Sequence, residues 1–275
     1  MHRNIRQANT YMKLNQVLTQ IPFIIKIVMT KGWHYIFAWV HRITGLILVM
    51  YLILHIYSLN LLNNTEMYDE KMIQYSSFIF RIFEWALSIP VIYHALNGGR
   101  LILYESYGCR NDDKMVRWML MLICIYTIVV GILSAMGNQN VSPFLFWFII
   151  LVLGVTVAYN LIEKMKNTKH SVYWKYQRIS GMFLLIMIPA HLIFMHLNPS
   201  ISKEAQQVID RMGSPFIKLV DLSLMIAVFY HAIYGMISIL QDYIDQGKLK
   251  TTVMIMIVLV MLVFASIGVK NLMVI

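Results

Sequence analysis

Residues 41–55 read HRITGLILVMYLILH, and residues 177–191 read QRISGMFLLIMIPAH. Each stretch holds an arginine, a β-branched residue, a hydroxyl residue and a glycine, then a histidine ten places after the glycine. Both are too apolar to fold against water, and they lie 136 residues apart. Such a word written twice marks an internal duplication, and it turns attention to the histidines.

A second pair of segments supports this. RIFEWALSIPVIYHALNG, residues 81–98, matches KLVDLSLMIAVFYHAIYG, residues 218–235, at an offset of 137. Glu84 meets Asp221, Tyr93-His94-Ala95 meets Tyr230-His231-Ala232, Gly98 meets Gly235 and, further on, Glu105 meets Asp242. Chance seldom carries one offset, with a single-residue slip, across two segments.

Of the 275 residues 59% are hydrophobic and 13% charged, against about 25% charged for a soluble domain. Seven apolar stretches, at about 35–62, 76–106, 116–137, 143–163, 173–197, 215–243 and 250–270, reach the roughly 20 residues a membrane-crossing helix needs. Lipid cannot satisfy backbone polar groups, so sustained apolar runs predict helices and exclude a barrel. The expected fold is therefore an all-α integral membrane protein with seven transmembrane helices.

Three helices leave the chain on the far side of the bilayer. A parallel second copy then needs one extra crossing, which PFLFWFIILVLGVTVAYNLI, residues 143–162, supplies. It has no charged side chain and no repeat partner, so it reads as a lipid-facing bridge. The predicted organisation is an N-terminal segment 1–34, a first three-helix repeat 35–137, a bridging helix within 138–170 and a second three-helix repeat 171–275. A pseudo-twofold axis along the membrane normal should relate the repeats.

The net charge of +10 is unevenly spread. The N-terminal segment is basic, as are the loops holding Arg110, Lys114 and Arg117, Lys164 to Arg178, and Lys248 with Lys250. The alternate loops hold only Lys71, Lys203 and Arg211. Basic loops favour the cytoplasmic side, which predicts a cytoplasmic N-terminus in a multi-pass inner-membrane protein and no nucleic-acid partner. Arg3, Arg6, Lys13, Lys26 and Lys31 break up the opening residues, which reads as a retained segment and not a secretory signal. Two cysteines, Cys109 and Cys124, are too few for an iron–sulfur cluster, and the absence of CxxCH excludes covalent haem.

Four of the nine histidines, His55, His94, His191 and His231, fall inside the spans at repeat-related positions. Polar side chains at such depth are costly and face the bundle interior. A twofold axis would set His55 opposite His191 and His94 opposite His231, an arrangement suited to two neutral imidazoles ligating one haem iron from opposite faces. Depth separates the pairs, His55 and His191 in the outer half and His94 and His231 in the inner, a pattern that allows two haems stacked across the membrane. Gly45, Gly98, Gly181 and Gly235 are positions where a macrocycle or a helix can approach the backbone. Arg81 with Glu84 and Lys218 with Asp221 are spaced for local ion pairs.

HRITG with its histidine ten residues beyond the glycine, YHALNGGR, RISG with the same histidine spacing, and HAIYG followed by Gln241-Asp242-Tyr243 carry a family resemblance. The chain resembles the membrane-anchor cytochrome b of succinate:quinone oxidoreductases and quinol:fumarate reductases, as though the two three-helix anchors of that family were fused through the bridge. The resemblance covers the first, second, fifth and sixth spans. It implies haem b, one or two with two favoured, ligated by His94 and His231 and by the distal pair His55 and His191. His41 and Arg100, near the inner face, are candidates for haem propionate contacts.

The resemblance also implies a quinone pocket at Arg42, Asp242 and Tyr243. Ala38 stands where the family often has a serine, so one expected quinone hydrogen bond is absent from that pattern. The implied partners are a flavoprotein subunit, an iron–sulfur subunit, membrane quinone and the lipid bilayer. This chain would be the non-catalytic, quinone-reactive subunit of the enzyme. Two other readings stay open on the residues: the cytochrome b of another quinone-linked enzyme such as a formate dehydrogenase or a hydrogenase, and a haem-free transporter or receptor.

Overall fold

The computed structural model describes residues 31–274 apart from Asn138 and Gln246. The expectation of a retained, basic N-terminal segment therefore lies almost wholly outside the described residues. The chain divides into two compact units, residues 1–43 and 44–275. His41 and Arg42 belong to the first of these and sit on the opening turns of helix α1 (Trp33–Asn60).

Six further long helices follow: α3 (Phe78–Tyr107), α4 (Asp112–Ala135), α5 (Pro143–Met165), α6 (Val172–Leu197), α9 (Pro215–Tyr243) and α10 (Lys248–Val274). Together with α1, these are seven helices long and apolar enough to cross a membrane, and no strand occurs among the described residues. The chain is an all-helical integral membrane protein. Three short helices lie between the long ones: α2 (Thr65–Tyr75) after α1, and α7 (Ser200–Lys203) and α8 (Ala205–Met212) after α6.

Local chemistry sets the ends of the spans. Asn111 accepts a hydrogen bond from the Lys114 amide at 3.3 Å, and Asp112 and Asp113 occupy the first turn of α4, where carboxylates favour the positive end of the helix dipole. Ser142 accepts from the Leu145 amide at 3.4 Å and Pro143 opens α5. Ser171 does the same for α6, accepting from the Trp174 amide at 3.3 Å. Helix α3 ends on Gly108, whose φ of 68° is the left-handed conformation glycine adopts without strain.

The bridge differs from its sequence reading. One face of α5 is exposed through Phe144, Phe148, Val152, Val155 and Tyr159. The opposite face is fully buried at Trp147 and Leu161, which pack with Leu184, Met187 and Phe194, and with Met182, of α6. Lipid-facing thus describes only half of this helix. With no hydrophobic drive between apolar helices in a bilayer, such close packing is what holds α5 to α6.

The connections α1–α3 and α6–α9 also hold structure that hydropathy does not announce. Tyr68 of α2 buries itself against Ala205, Val208 and Met212 of α8, in one cluster with Ile56 of α1 and Met225 and Phe229 of α9. The Tyr68 hydroxyl donates to the Ser202 carbonyl at 2.8 Å, and the Ala205 amide donates to Asp69 Oδ1 at 2.8 Å. The two connections form a joint cap over one end of the bundle. Burial pushes the Tyr68 hydroxyl up to about 12, so it remains a neutral donor at any ordinary pH.

Candidate functional site

The four membrane histidines meet in two pairs. The rings of His94 on α3 and His231 on α9 have centres 6.1 Å apart and planes inclined at 85°. Those of His55 on α1 and His191 on α6 lie 6.2 Å apart at 83°. All four histidines lie mid-helix and are half-buried.

The partner of each histidine on the neighbouring helix repeats as the sequence does. Thr44 Oγ1 lies 3.4 Å from His94 Nδ1, and Ser180 Oγ lies 3.5 Å from His231 Nδ1. Beside each hydroxyl residue is a glycine turned onto the same ring. A Cβ at Gly45 would come within 3.0 Å of His94 Cε1, and one at Gly181 within 3.1 Å of His231 Cε1. The sequence counts these glycines from the histidines on their own helices, His55 and His191. The fold instead turns them on the imidazoles of the next helix in each repeat.

Ser180 Oγ donates to the Gln177 carbonyl at 3.1 Å, which leaves its lone pairs to accept from His231 Nδ1–H. A proton on Nδ1 makes Nε2, on the far edge of the ring, the lone-pair nitrogen. Histidine ligands are commonly oriented in this way by a group outside the metal's own ligand set. The His55 and His191 pair is held otherwise. Tyr51 stacks on His55 with ring centres 5.7 Å apart and planes at 17°. Trp147 of the bridge lies 5.9 Å from the His191 ring, and His191 Nδ1 is buried with no hydrogen-bond partner.

Haem fits this arrangement. A metal ion held by one nitrogen of each ring, at about 2 Å from both, would leave the two ring centres about 6 Å apart. Direct edge-to-face packing of two rings spans that distance as well. The distinguishing feature is that it occurs twice at repeat-related sites, and that hydroxyls on the Nδ1 edges of one pair leave Nε2 for an iron. No group of three or more metal-ligating side chains occurs among the described residues, so a metal bound between these rings would have only the two imidazoles of a pair as protein ligands.

The other candidates are distributed as follows. Arg100 is buried, forms an ion pair with Asp112 at the start of α4, and donates from Nε to Asn97 Oδ1 at 3.0 Å. Asp242 and Tyr243 end α9, next to an open cavity of about 470 Å³ that Gln241, Lys250, Thr251 and Met254 line. At the position the repeat relates to Arg42, Arg178 is engaged by Glu105 through Nε to Oε2 at 2.8 Å and Nη2 to Oε1 at 3.1 Å.

The local ion pairs expected of Arg81 with Glu84 and Lys218 with Asp221 do not occur among the described ion pairs. Glu84 instead faces His196 Nε2 at 3.7 Å and Lys203 Nζ at 3.9 Å, and Asp221 faces Arg211 Nη1 at 3.8 Å. Both acids take partners from the far end of α6 or the connection beyond it. Helix spacing shows which neighbours are within reach along one helix, but not which charges tertiary packing brings closer.

Comparison with known proteins decides the family. The family model for the succinate dehydrogenase/fumarate reductase transmembrane subunit matches residues 28–133 and 160–267. The chain belongs to this family. It is 27% identical over 81 residues to the succinate dehydrogenase hydrophobic membrane anchor subunit of Archaeoglobus fulgidus, covering 30% of this chain and 69% of the relative. It is 33% identical over 104 residues to the succinate dehydrogenase 2 membrane subunit SdhC of Mycobacterium tuberculosis, covering 34% of this chain and 76% of the relative. No solved structure matches. The matched stretches omit residues 134–159, which hold most of α5 and include Trp147.

Proposed function

We propose that this anchor subunit is a cytochrome b that passes electrons between an iron–sulfur subunit and membrane quinone. The observation that carries this reading is the double imidazole pairing, with ring centres 6.1 and 6.2 Å apart in one bundle. Haem b, when bound, supplies a one-electron carrier. His94 with His231 would hold one and His55 with His191 a second.

The residues of the chain perform the remaining work. Thr44 and Ser180 keep the Nδ1 edges of His94 and His231 turned away from the iron position. Ten residues of helix separate Gly45 from His55, and Gly181 from His191. At 1.5 Å per residue the two pairs are therefore about 15 Å apart along the bundle, short enough for a relay between its ends. His41 and Arg100 are proposed as propionate contacts, Arg100 with Asp112 as its present counter-ion.

Quinone is assigned to Arg42, Asp242 and Tyr243. A tyrosine hydroxyl can donate to a quinone carbonyl, and a guanidinium stabilises the negative charge that reduction places there. Basic loops and the basic N-terminal segment support a cytoplasmic N-terminus, which puts the soluble flavoprotein and iron–sulfur subunits on that face. The relatives' names as succinate dehydrogenase membrane subunits support the same partners.

A reduced-minus-oxidised visible spectrum of the purified complex, with haem counted per polypeptide, tests the reading. Two haems are expected, with one lost in His94→Ala. A spectrum without a b-type α band rules out the cytochrome assignment.

A further inference from the structure

The cap formed by the two connections carries a buried arginine that the preceding function does not use. Arg211, on α8, is 9% exposed, and its Nε and Nη1 are buried with no hydrogen-bond partner. Asp221, on α9, faces it at 3.8 Å, close enough to balance charge but too far to accept a hydrogen bond. A guanidinium has five donors fixed in a plane, and leaving them unmet inside a bundle is costly unless an acidic group takes them.

The place where these donors sit follows from helix arithmetic. Asp221 precedes His231 by ten residues on α9, and His191 follows Gly181, which touches His231, by ten on α6. Both lie about 15 Å from the His94 and His231 pair in the same direction along the bundle. Asp221 and Arg211 are thus level with His55 and His191. The cap packing agrees, since Val208 and Met212, on either side of Arg211, share a core cluster with Ile56, the residue after His55.

We propose that Arg211 anchors a carboxylate of the group seated between His55 and His191, namely a propionate of the second porphyrin. This rests on the reading of that pair as a haem site. A planar guanidinium accommodates a carboxylate with two parallel hydrogen bonds, and a propionate reaching from the ring edge to the cap meets Arg211 there. The cap then does more than cover the bundle end: α8 supplies a positioning residue for a cofactor whose ligands come from α1 and α6.

The test uses the complex purified with its partner subunits and compares wild type, His55→Ala, Arg211→Lys and the double variant Arg211→Gln with Asp221→Asn. The double variant leaves no unpaired buried charge. If Arg211 serves only to neutralise Asp221, this variant keeps both haems and leaves the propionate bending band in the resonance Raman spectrum unmoved. The proposal expects that band to shift. It also expects the haem-to-polypeptide ratio, after prolonged detergent exchange, to fall from two towards the value for His55→Ala.

Arg211→Lys should retain the haem but move the band, because an ammonium cannot form the paired hydrogen bonds. It decides the matter if the double variant does not assemble. An unmoved band with an unchanged ratio overturns the assignment of Arg211 alone. If His55→Ala leaves the ratio unchanged, the second haem site itself fails, and the propionate anchor fails with it.

Discussion

The two imidazole pairs have nearly the same ring separation, 6.1 and 6.2 Å, and the same near-perpendicular crossing, yet they are held by different kinds of neighbour. His94 and His231 are set by duplicated parts. A hydroxyl residue and a glycine from the preceding helix of the same repeat face each ring, Thr44 with Gly45 and Ser180 with Gly181. His55 and His191 depend on parts that occur once. Tyr51 lies against one ring and Trp147, from the bridge, near the other. The first pair is therefore set by parts present in both repeats, and the second by Tyr51, which has no counterpart in the second repeat, and by Trp147 of the bridge.

Substitutions can test this division. Trp147→Ala should have the largest effect. Removing a fully buried indole costs about 3 kcal/mol, towards the low end of the usual range because packing, not water, holds helices together in lipid. Unfolding by graded detergent denaturation measures that loss. The spectral change should fall on the His55 and His191 centre alone, and a matching change at the other pair would remove the distinction drawn here.

Gly45→Val and Gly181→Val come next. Each new side chain collides with an imidazole that lies 3.0 or 3.1 Å from the position of a Cβ, and such overpacking costs about 2 kcal/mol. Their effect should be the converse of the tryptophan variant: the His94 and His231 centre is displaced, as read by its low-temperature spin-resonance signal, while the outer centre keeps its signal. Equal effects of the two glycine variants would show that the repeats contribute equally.

Thr44→Val and Ser180→Ala should be mildest. Each removes one long contact between a hydroxyl oxygen and the Nδ1 edge of a ring, worth about 1 kcal/mol or less. The better readout is a redox titration of the inner centre. Loss of the hydroxyl makes the imidazole a poorer electron donor to the iron, so the midpoint potential should rise. A potential unmoved in both variants would show that the hydroxyls only fill space.

The sequence made the spans, the four histidines and their pairing legible, because hydropathy and a duplicated word both survive without tertiary information. The family was legible for the same reason, through HRITG and YHALNGGR. Trp147 was not, since one indole among the aromatics of the bridge looks like any lipid-facing side chain until α6 is packed against it. The partners of Glu84 and Asp221 were hidden too. Spacing pointed to Arg81 and Lys218, whereas His196, Lys203 and Arg211 reach these acids only once α6 and the connection beyond it are folded into place. A single signal in the sequence could have pointed to Arg211: it is one of few cations in an otherwise sparsely charged set of connections.

The bridging helix has one more consequence. Each histidine pair joins one residue from the first repeat with one from the second, and α5 ties the repeats into a single chain. Two separate subunits would have to find each other before either pair could close. Here the encounter is intramolecular, at an effective concentration on the order of millimolar, so neither half can be made in excess of the other.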